Sequence, residues 1–370
     1  MPNPFKPTFG VSPPLLAGRD EPIAEFNGAL VDGPGAAGRA TLYTGARGAG
    51  KTVMLNAVED AARERGWVVV SETATPGLIE RLTRTRLPEL LRRFDPEAVR
   101  RHLTGIDLPL GGGGAAWERI EAHVAEADLR SQITLLTDLL AAGETGLLIT
   151  IDEVHRDRAG DLRELATVIQ HAFREEREVA LAAAGLTSSI SDLLQDDVLT
   201  FLRRADRYHL GVVPADEVRR ALREPIEQSG RSVAEDALAA MVEATQGYPF
   251  LIQLVGSYCW RASAQKGEID RADAEVGVAN AHRRLGSLVH APALAAASDV
   301  DRRFLHAMAR DDGPSSTADI AQRLEVSKEY AGVYRQRLID AELIEAPRRG
   351  YVDFALPFLR EYLREHPQAG

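Results

Sequence analysis

The sequence predicts an α/β fold: a parallel sheet covered by helices, then an all-helical segment, then a small terminal unit of helices and a hairpin. Three observations predict it. From Ala40 onward, short apolar runs alternate with helical patterns, the sign of a parallel sheet. After Pro214 the strand signal stops and only helical spacing continues. From Ala291 the pattern turns to short helices, with two short strand-like runs before the last one.

The strands come first. They are expected at Ala40–Thr44, Trp67–Ser71, Leu147–Ile151, Val179–Ala184 and Tyr208–Val213. Each is a continuous apolar run, as strands covered on both faces require. Between the second and third lies a long helical stretch, Leu78 to Ala142, broken by Leu108–Ala115 with its four consecutive glycines. Glycine runs have little intrinsic order, so a flexible loop is expected there. Helices are expected at Ala215–Gln228, Val233–Thr245, Tyr248–Ala264 and about Arg271–Leu288. Ala291–Ser298 reads as a linker or a continuing helix. The first dozen residues, rich in Pro and polar residues, read as an extended arm. These patterns divide the chain into residues 1–213, 214–290 and 291–370.

Composition narrows the class. The chain has 370 residues, 45% apolar and 27% charged, with a net charge of −11. That is ordinary for a soluble globular protein. An acidic whole argues against a general nucleic-acid coat and leaves room for one locally basic face. No apolar run approaches a membrane span, and MPNPFKPTFG has no apolar secretory region. Cys259 is the single cysteine, which excludes an internal disulfide or a Cys-based metal site within one chain. A reducing cytoplasm is the expected setting.

Residues Gly45-Ala46-Arg47-Gly48-Ala49-Gly50-Lys51-Thr52 fit G-x-x-x-x-G-K-[ST], directly after a predicted strand and opening a predicted helix. This is a P-loop. Small residues let the backbone wrap a phosphate, and successive N–H groups at a helix N-terminus point at the anion. Lys51 is expected to reach the β- and γ-phosphates of ATP, and the Thr52 hydroxyl to ligate Mg²⁺. The alternative is a Gly-rich turn that binds nothing. A metal carboxylate is then needed at the end of another strand. Asp152-Glu153 supplies it, closing the run Leu147–Ile151. Asp152 is expected to hold Mg²⁺, and Glu153 to orient or deprotonate the attacking water. The alternative is that one acid caps the next helix. A Glu beside the metal Asp favours hydrolysis over transfer to a small substrate. Thr187 and Ser188, after the fourth strand, are candidates to hold the water or to cap a helix.

These motifs resemble AAA+ ATPases. Gly18-Arg19-Asp20-Glu21 looks like the entry motif that flanks the adenine pocket there. With the P-loop, Asp152-Glu153 and Thr187, it resembles the branch holding the origin-recognition-like ATPases and the related STAND switch ATPases. The resemblance implies a P-loop NTPase core, a helical lid and, at the end, a winged helix. Gly247-Tyr248-Pro249 resembles the G-x-P motif that opens the lid helix, with Pro249 near the adenine. A nucleotide-sensing arginine at the start of that helix is absent, since Phe250 and Leu251 follow, which points toward a STAND-like switch. An arginine before the last core strand reaches a neighbour's γ-phosphate in many relatives. Arg203, Arg204 and Arg207 lie there, with Arg204 the candidate, implying a homo-oligomer. Their alternative is an ordinary solvated or salt-bridged cluster.

The terminal unit reads as helices at Val300–Ala309, Thr317–Leu324 and Ser327–Ala341, a two-stranded wing over Leu343–Phe354, and a helix at Pro357–Glu365. It resembles a winged helix-turn-helix, whose third helix enters the major groove of double-stranded DNA. Lys328, Arg335, Arg337, Arg348 and Arg349 are the candidate phosphate contacts. Against this, Ser315–Gly350 holds six basic and six acidic residues, and a neutral module binds phosphates weakly. A protein dock or an intramolecular clamp is the alternative. The arginine-rich stretch Arg81 to Arg101 and the aromatic group Tyr248, Phe250, Tyr258 and Trp260 read more simply as solvated helix faces and as lid core.

Together these readings describe an ATP-binding, slowly hydrolysing switch acting on DNA or a partner protein. The alternatives are a nucleotide-gated DNA-binding regulator and a STAND-like signalling switch.

Overall fold

The structure is a computed structural model that describes residues 2–8, 10–94, 128–155, 159–195 and 199–367. The glycine run at Leu108–Ala115 and Arg100 and Arg101 lie outside these residues. By its contacts the chain forms two compact units, one of residues 21–44 and 54–209, the other of 1–20, 45–53 and 210–370.

The first unit is built on five parallel strands: β1 (Ala40–Thr44), β2 (Val68–Thr73), β3 (Leu147–Val154), β4 (Val179–Gly185) and β5 (Asp206–His209). Their order is β2-β3-β4-β1-β5. The helices of this part of the chain are α1 (Asp20–Asp32), α2 (Lys51–Glu64), α3 (Leu78–Arg81), α4 (Leu87–Phe94), α5 (Leu129–Ala141), α6 (Ala159–Arg174) and α7 (Thr187–Leu194). The predicted α/β core is therefore present. β4 is buried at every position, as its run of Ala and Val requires when both faces are covered. A single apolar cluster fills the unit, with Leu42, Ile149, Ile151 and Leu181 from the strands and Leu82, Leu136 and Ile169 from the helices.

The fifth strand differs from expectation. It starts at Asp206 and ends at His209, not Val213, because its partner β1 ends at Thr44 and offers no further ladder. The helical stretch after β2 also carries a π turn at Leu82–Arg86.

The second unit holds α8 (Ala215–Gln228), α9 (Glu235–Thr245), α10 (Pro249–Ala262) and α11 (Arg271–Leu285). Two short parallel strands, β6 (Ser232–Val233) and β7 (Glu268–Ile269), pair between them, so strand structure does not stop entirely at Pro214. A π turn, Gly286–His290, joins α11 to α12 (Ala291–Ala296), so the Ala-rich segment continues the helix. Then follow α13 (Asp299–Met308), β8 (Ser315–Ser316), α14 (Thr317–Arg323), α15 (Lys328–Asp340), β9 (Ile344–Glu345), β10 (Tyr351–Phe354) and α16 (Leu359–Glu365). The last three strands form an antiparallel sheet ordered β8-β10-β9. This element order is consistent with the expected winged helix.

Capping explains several boundaries. Ser298 caps α13 in a reciprocal box with Asp301, Ser316 caps α14 and Ser327 caps α15. The joint between α11 and the terminal helices is tight. His290 Nε2 lies 2.9 Å from the Pro357 carbonyl, the His282 and Phe358 rings are 4.0 Å apart, and Tyr362 leaves room opposite only for the bare Gly286.

Candidate nucleotide site

The P-loop follows Thr44 directly in the chain. Gly48 and Gly50 take φ of +76° and +90°, which only glycine adopts without strain. Lys51 opens α2 with its Nζ folded onto the loop, donating to the Gly45 carbonyl at 2.6 Å and the Ala46 carbonyl at 2.9 Å. Ala49 N–H closes a turn onto the Ala46 carbonyl at 3.1 Å. These residues fit a triphosphate: the loop is small-sided and ends at a helix N-terminus. Thr52, at the end of the loop, offers one hydroxyl of the kind Mg²⁺ takes beside phosphate oxygens. Such a site needs no cluster of three acids, and none occurs among the described residues.

Tyr248 lies in the helical core, as its sequence reads, and also reaches the phosphate loop. It is buried, and its hydroxyl donates to the Arg47 carbonyl at 2.5 Å. A Cβ on Gly48 would lie 2.0 Å from that hydroxyl. Burial pushes the Tyr248 phenol well above its ordinary range, so it acts as a neutral donor. Its place directly before Pro249 was the available signal. Pro249 begins α10, and its Cβ lies 4.0 Å from where a side chain on Gly50 would begin. Phe250 and Trp260 are buried with Tyr248 in the helical core, which removes the base-stacking reading for these three. Arg19 is also buried, donating to the Gly211 carbonyl at 2.6 Å, and burial lowers its pKa. P-loop, Arg19, Tyr248 and Pro249 all belong to the second unit.

In the first unit, the acids sit where the ladder between β3 and β4 breaks register, between Ile151 and Val154. Glu153 takes φ of +54° there, and the Asp152 carboxylate accepts from the Glu153 N–H at 2.7 Å. Asp152 is half-buried and Glu153 exposed. Neither acid occupies the position that starts α6 at Ala159. Val154 is level with Gly185, and Gly185 with Thr44, so the acids lie at the sheet edge where β1 and β4 end. Thr187 is the first residue of α7, directly after Leu186 at the end of the turn from β4.

Arg203 and Arg204 end a 3₁₀ turn, and Arg207 lies in β5. Arg203 donates to the Leu194 carbonyl at 2.7 Å, a structural use. Arg204 is exposed. The stretch after β2 is largely ion-paired: Arg81 and Arg86 both hold the Glu72 carboxylate, and Arg84 holds Glu80. In the terminal unit, Arg337 pairs with buried Asp301 at 3.1 Å, and Arg348 stacks 3.8 Å over Tyr351. Arg335 is half-buried. Lys328 and Arg349 are exposed. The expected electropositive edge is thus partly engaged within the unit itself.

Residues 15–181 match the AAA ATPase domain family, and residues 287–363 match a family described as a domain of unknown function. No curated protein matches the chain. Among solved structures, the Walker-type ATPase of Pyrococcus abyssi is 17% identical, with a TM-score of 0.64, over 94% of this chain and 96% of that one. The Aeropyrum pernix ORC1 protein, solved in complex with DNA, is 15% identical with a TM-score of 0.45, over 96% and 94%. The Thermotoga maritima RuvB Holliday junction branch migration motor is 15% identical with a TM-score of 0.47, over 94% and 95%. The match to the AAA ATPase domain family is confined to residues 15–181, and the fold is that of a P-loop ATPase; both agree with the resemblance drawn from the motifs.

Proposed function

We propose that the chain binds Mg-ATP at Gly45–Thr52, hydrolyses it slowly, and uses the difference between ATP and ADP as a switch on DNA or a partner protein. One observation carries this reading. The lid helix α10 holds the phosphate loop directly, through the Tyr248 hydroxyl on the Arg47 carbonyl and Pro249 beside Gly50. A loop that must shift around a γ-phosphate therefore pulls on the lid.

The roles follow from chemistry. Lys51 leaves the Gly45 and Ala46 carbonyls for the β- and γ-phosphates. Loop N–H groups take the remaining oxygens. Thr52 and Asp152 would hold Mg²⁺, which when bound neutralises phosphate charge. Glu153 takes the proton of the attacking water, Thr187 positions that water, and Arg204 serves an adjacent copy. Arg19 and Pro249 border the base.

A clamp reading of the terminal unit, taken here as a winged helix, has support of its own. His290, His282 and Gly286 anchor its last segment to the lid. The unit is then carried with the lid rather than presented freely to DNA. A cytoplasmic setting suits Cys259, whose thiol burial pushes up to about 12.

The test is nucleotide bound to the purified chain, read by chromatography after denaturation. Retained ADP and a slow steady-state ATPase are expected. Nucleotide-free protein without ATP affinity would overturn the reading.

A further inference from the structure

The arm at the start of the chain is docked, not free. Asn3 donates to the Ser257 carbonyl at 3.2 Å and its hydroxyl at 2.9 Å, and Lys6 N–H donates to Gln253 at 3.1 Å. Phe5 is buried against Gly256, where any Cβ would lie 2.5 Å from its ring. The arm thereby becomes one wall of a cavity of about 560 Å³, with α10, α11 and the π turn as the others. Sites for small molecules span roughly 300–1,000 Å³. No residue of Gly45–Thr52 lines it.

Its lining is of two kinds. Lys6, Arg261 and Arg284 bring three cations. None of the three has a carboxylate partner among the described residues, and no acid lines the cavity. Leu254, Leu288 and Tyr258 bring apolar and aromatic surface, with the Arg261 guanidinium 5.4 Å from the Tyr258 ring. The sequence explains the charge. Residues 1–19, 244–267 and 276–298 contain none of the chain's 55 acidic residues, and these are the segments that form the cavity. In a chain of net charge −11, cations gathered in one concave place give a locally positive potential that favours anions.

We propose that this cavity is a second ligand site, for a small phosphorylated compound carrying an apolar ring. The three cations take the phosphate, and the ring lies against Leu254, Leu288 and Tyr258. A bound ligand spans the arm and α10, so it fixes the arm on the lid.

The probe is 2-naphthyl phosphate, titrated calorimetrically into the full chain carrying Lys51→Ala, which disables the P-loop. One site is expected. Arg261→Ala with Arg284→Ala should weaken it at least tenfold, and so should replacing the probe by uncharged 2-naphthol. Both arginines are exposed, and circular dichroism checks the fold; Lys6→Ala alone is the second variant, expected to weaken binding several-fold. No heat with the Lys51→Ala chain, or affinity unchanged in the arginine and Lys6 variants, would overturn the proposal. So would displacement of the probe by duplex DNA, which would make the surface a nucleic-acid face. None of these outcomes depends on ATP binding at the P-loop, which the wild-type chain tests separately.

Discussion

The Tyr248 hydroxyl donates to the Arg47 carbonyl at 2.5 Å, joining the residue before the lid helix to the middle of the phosphate loop. Losing this bond removes about 1 kcal/mol of net stabilisation. Tyr248→Phe should keep the fold, lower the melting temperature slightly and shift the ratio of ATP to ADP affinity. Calorimetric titration with both nucleotides checks this; an unchanged ratio would show that the lid does not sense the loop.

Gly48 has no room for a side chain. Its φ is +76°, and an added Cβ would lie 2.0 Å from the Tyr248 hydroxyl. Gly48→Ala should therefore cost on the order of 1–3 kcal/mol in local strain and abolish tight nucleotide binding. Thermal unfolding with and without ATP measures both. Full nucleotide-induced stabilisation in the variant would refute the loop geometry.

Lys51 is the cation aimed at the loop carbonyls and, with nucleotide bound, at the phosphates. Lys51→Ala should lower ATP affinity by about tenfold or more, each tenfold being about 1.4 kcal/mol. Equal affinity by calorimetry would remove the phosphate-site argument.

Glu153→Gln should leave ATP binding intact and slow hydrolysis by ~10² or more, the usual scale for losing a positioned base. Asp152→Asn should instead weaken Mg²⁺-dependent binding. Because Glu153 holds φ of +54°, Glu153→Val should also destabilise the strand end, which Gln does not. Wild-type turnover in the Gln variant would place the base elsewhere.

His290 makes the joint between lid and terminal unit sensitive to acid. Burial lowers its pKa to about 4, against an ordinary value of 6.5, with the Pro357 carbonyl opposing the shift. The unfolded chain therefore binds the proton more readily. The stability His290 contributes is present above about pH 6.5 and is lost as pH falls toward 4, up to about 3 kcal/mol in all. Denaturant unfolding of wild type and His290→Gln across this range should show the steeper loss in wild type. Parallel curves would place the acid sensitivity in other groups.

Much of this was legible beforehand, for physical reasons. The core strands β1, β3 and β4 are largely apolar, buried runs, and burial on both faces leaves such runs few alternatives. The P-loop and the Asp152-Glu153 pair are local, because their chemistry needs fixed residue types at fixed spacing. Tertiary structure decided everything that depends on who stands opposite. β5 stops at His209 because β1 stops at Thr44. Tyr248 reads as core in sequence, and only the fold brings its hydroxyl to Arg47, which lies 201 positions away. Arg337 reads as a DNA contact, but the packing of α15 beside α13 hands it to Asp301. The arm reads as free until Gly256 and Ser257 appear beneath it. Sequence sets what a residue can do within a few positions of itself, where chain geometry is nearly fixed. Its long-range partner is set by the packing of whole elements, which no local pattern encodes.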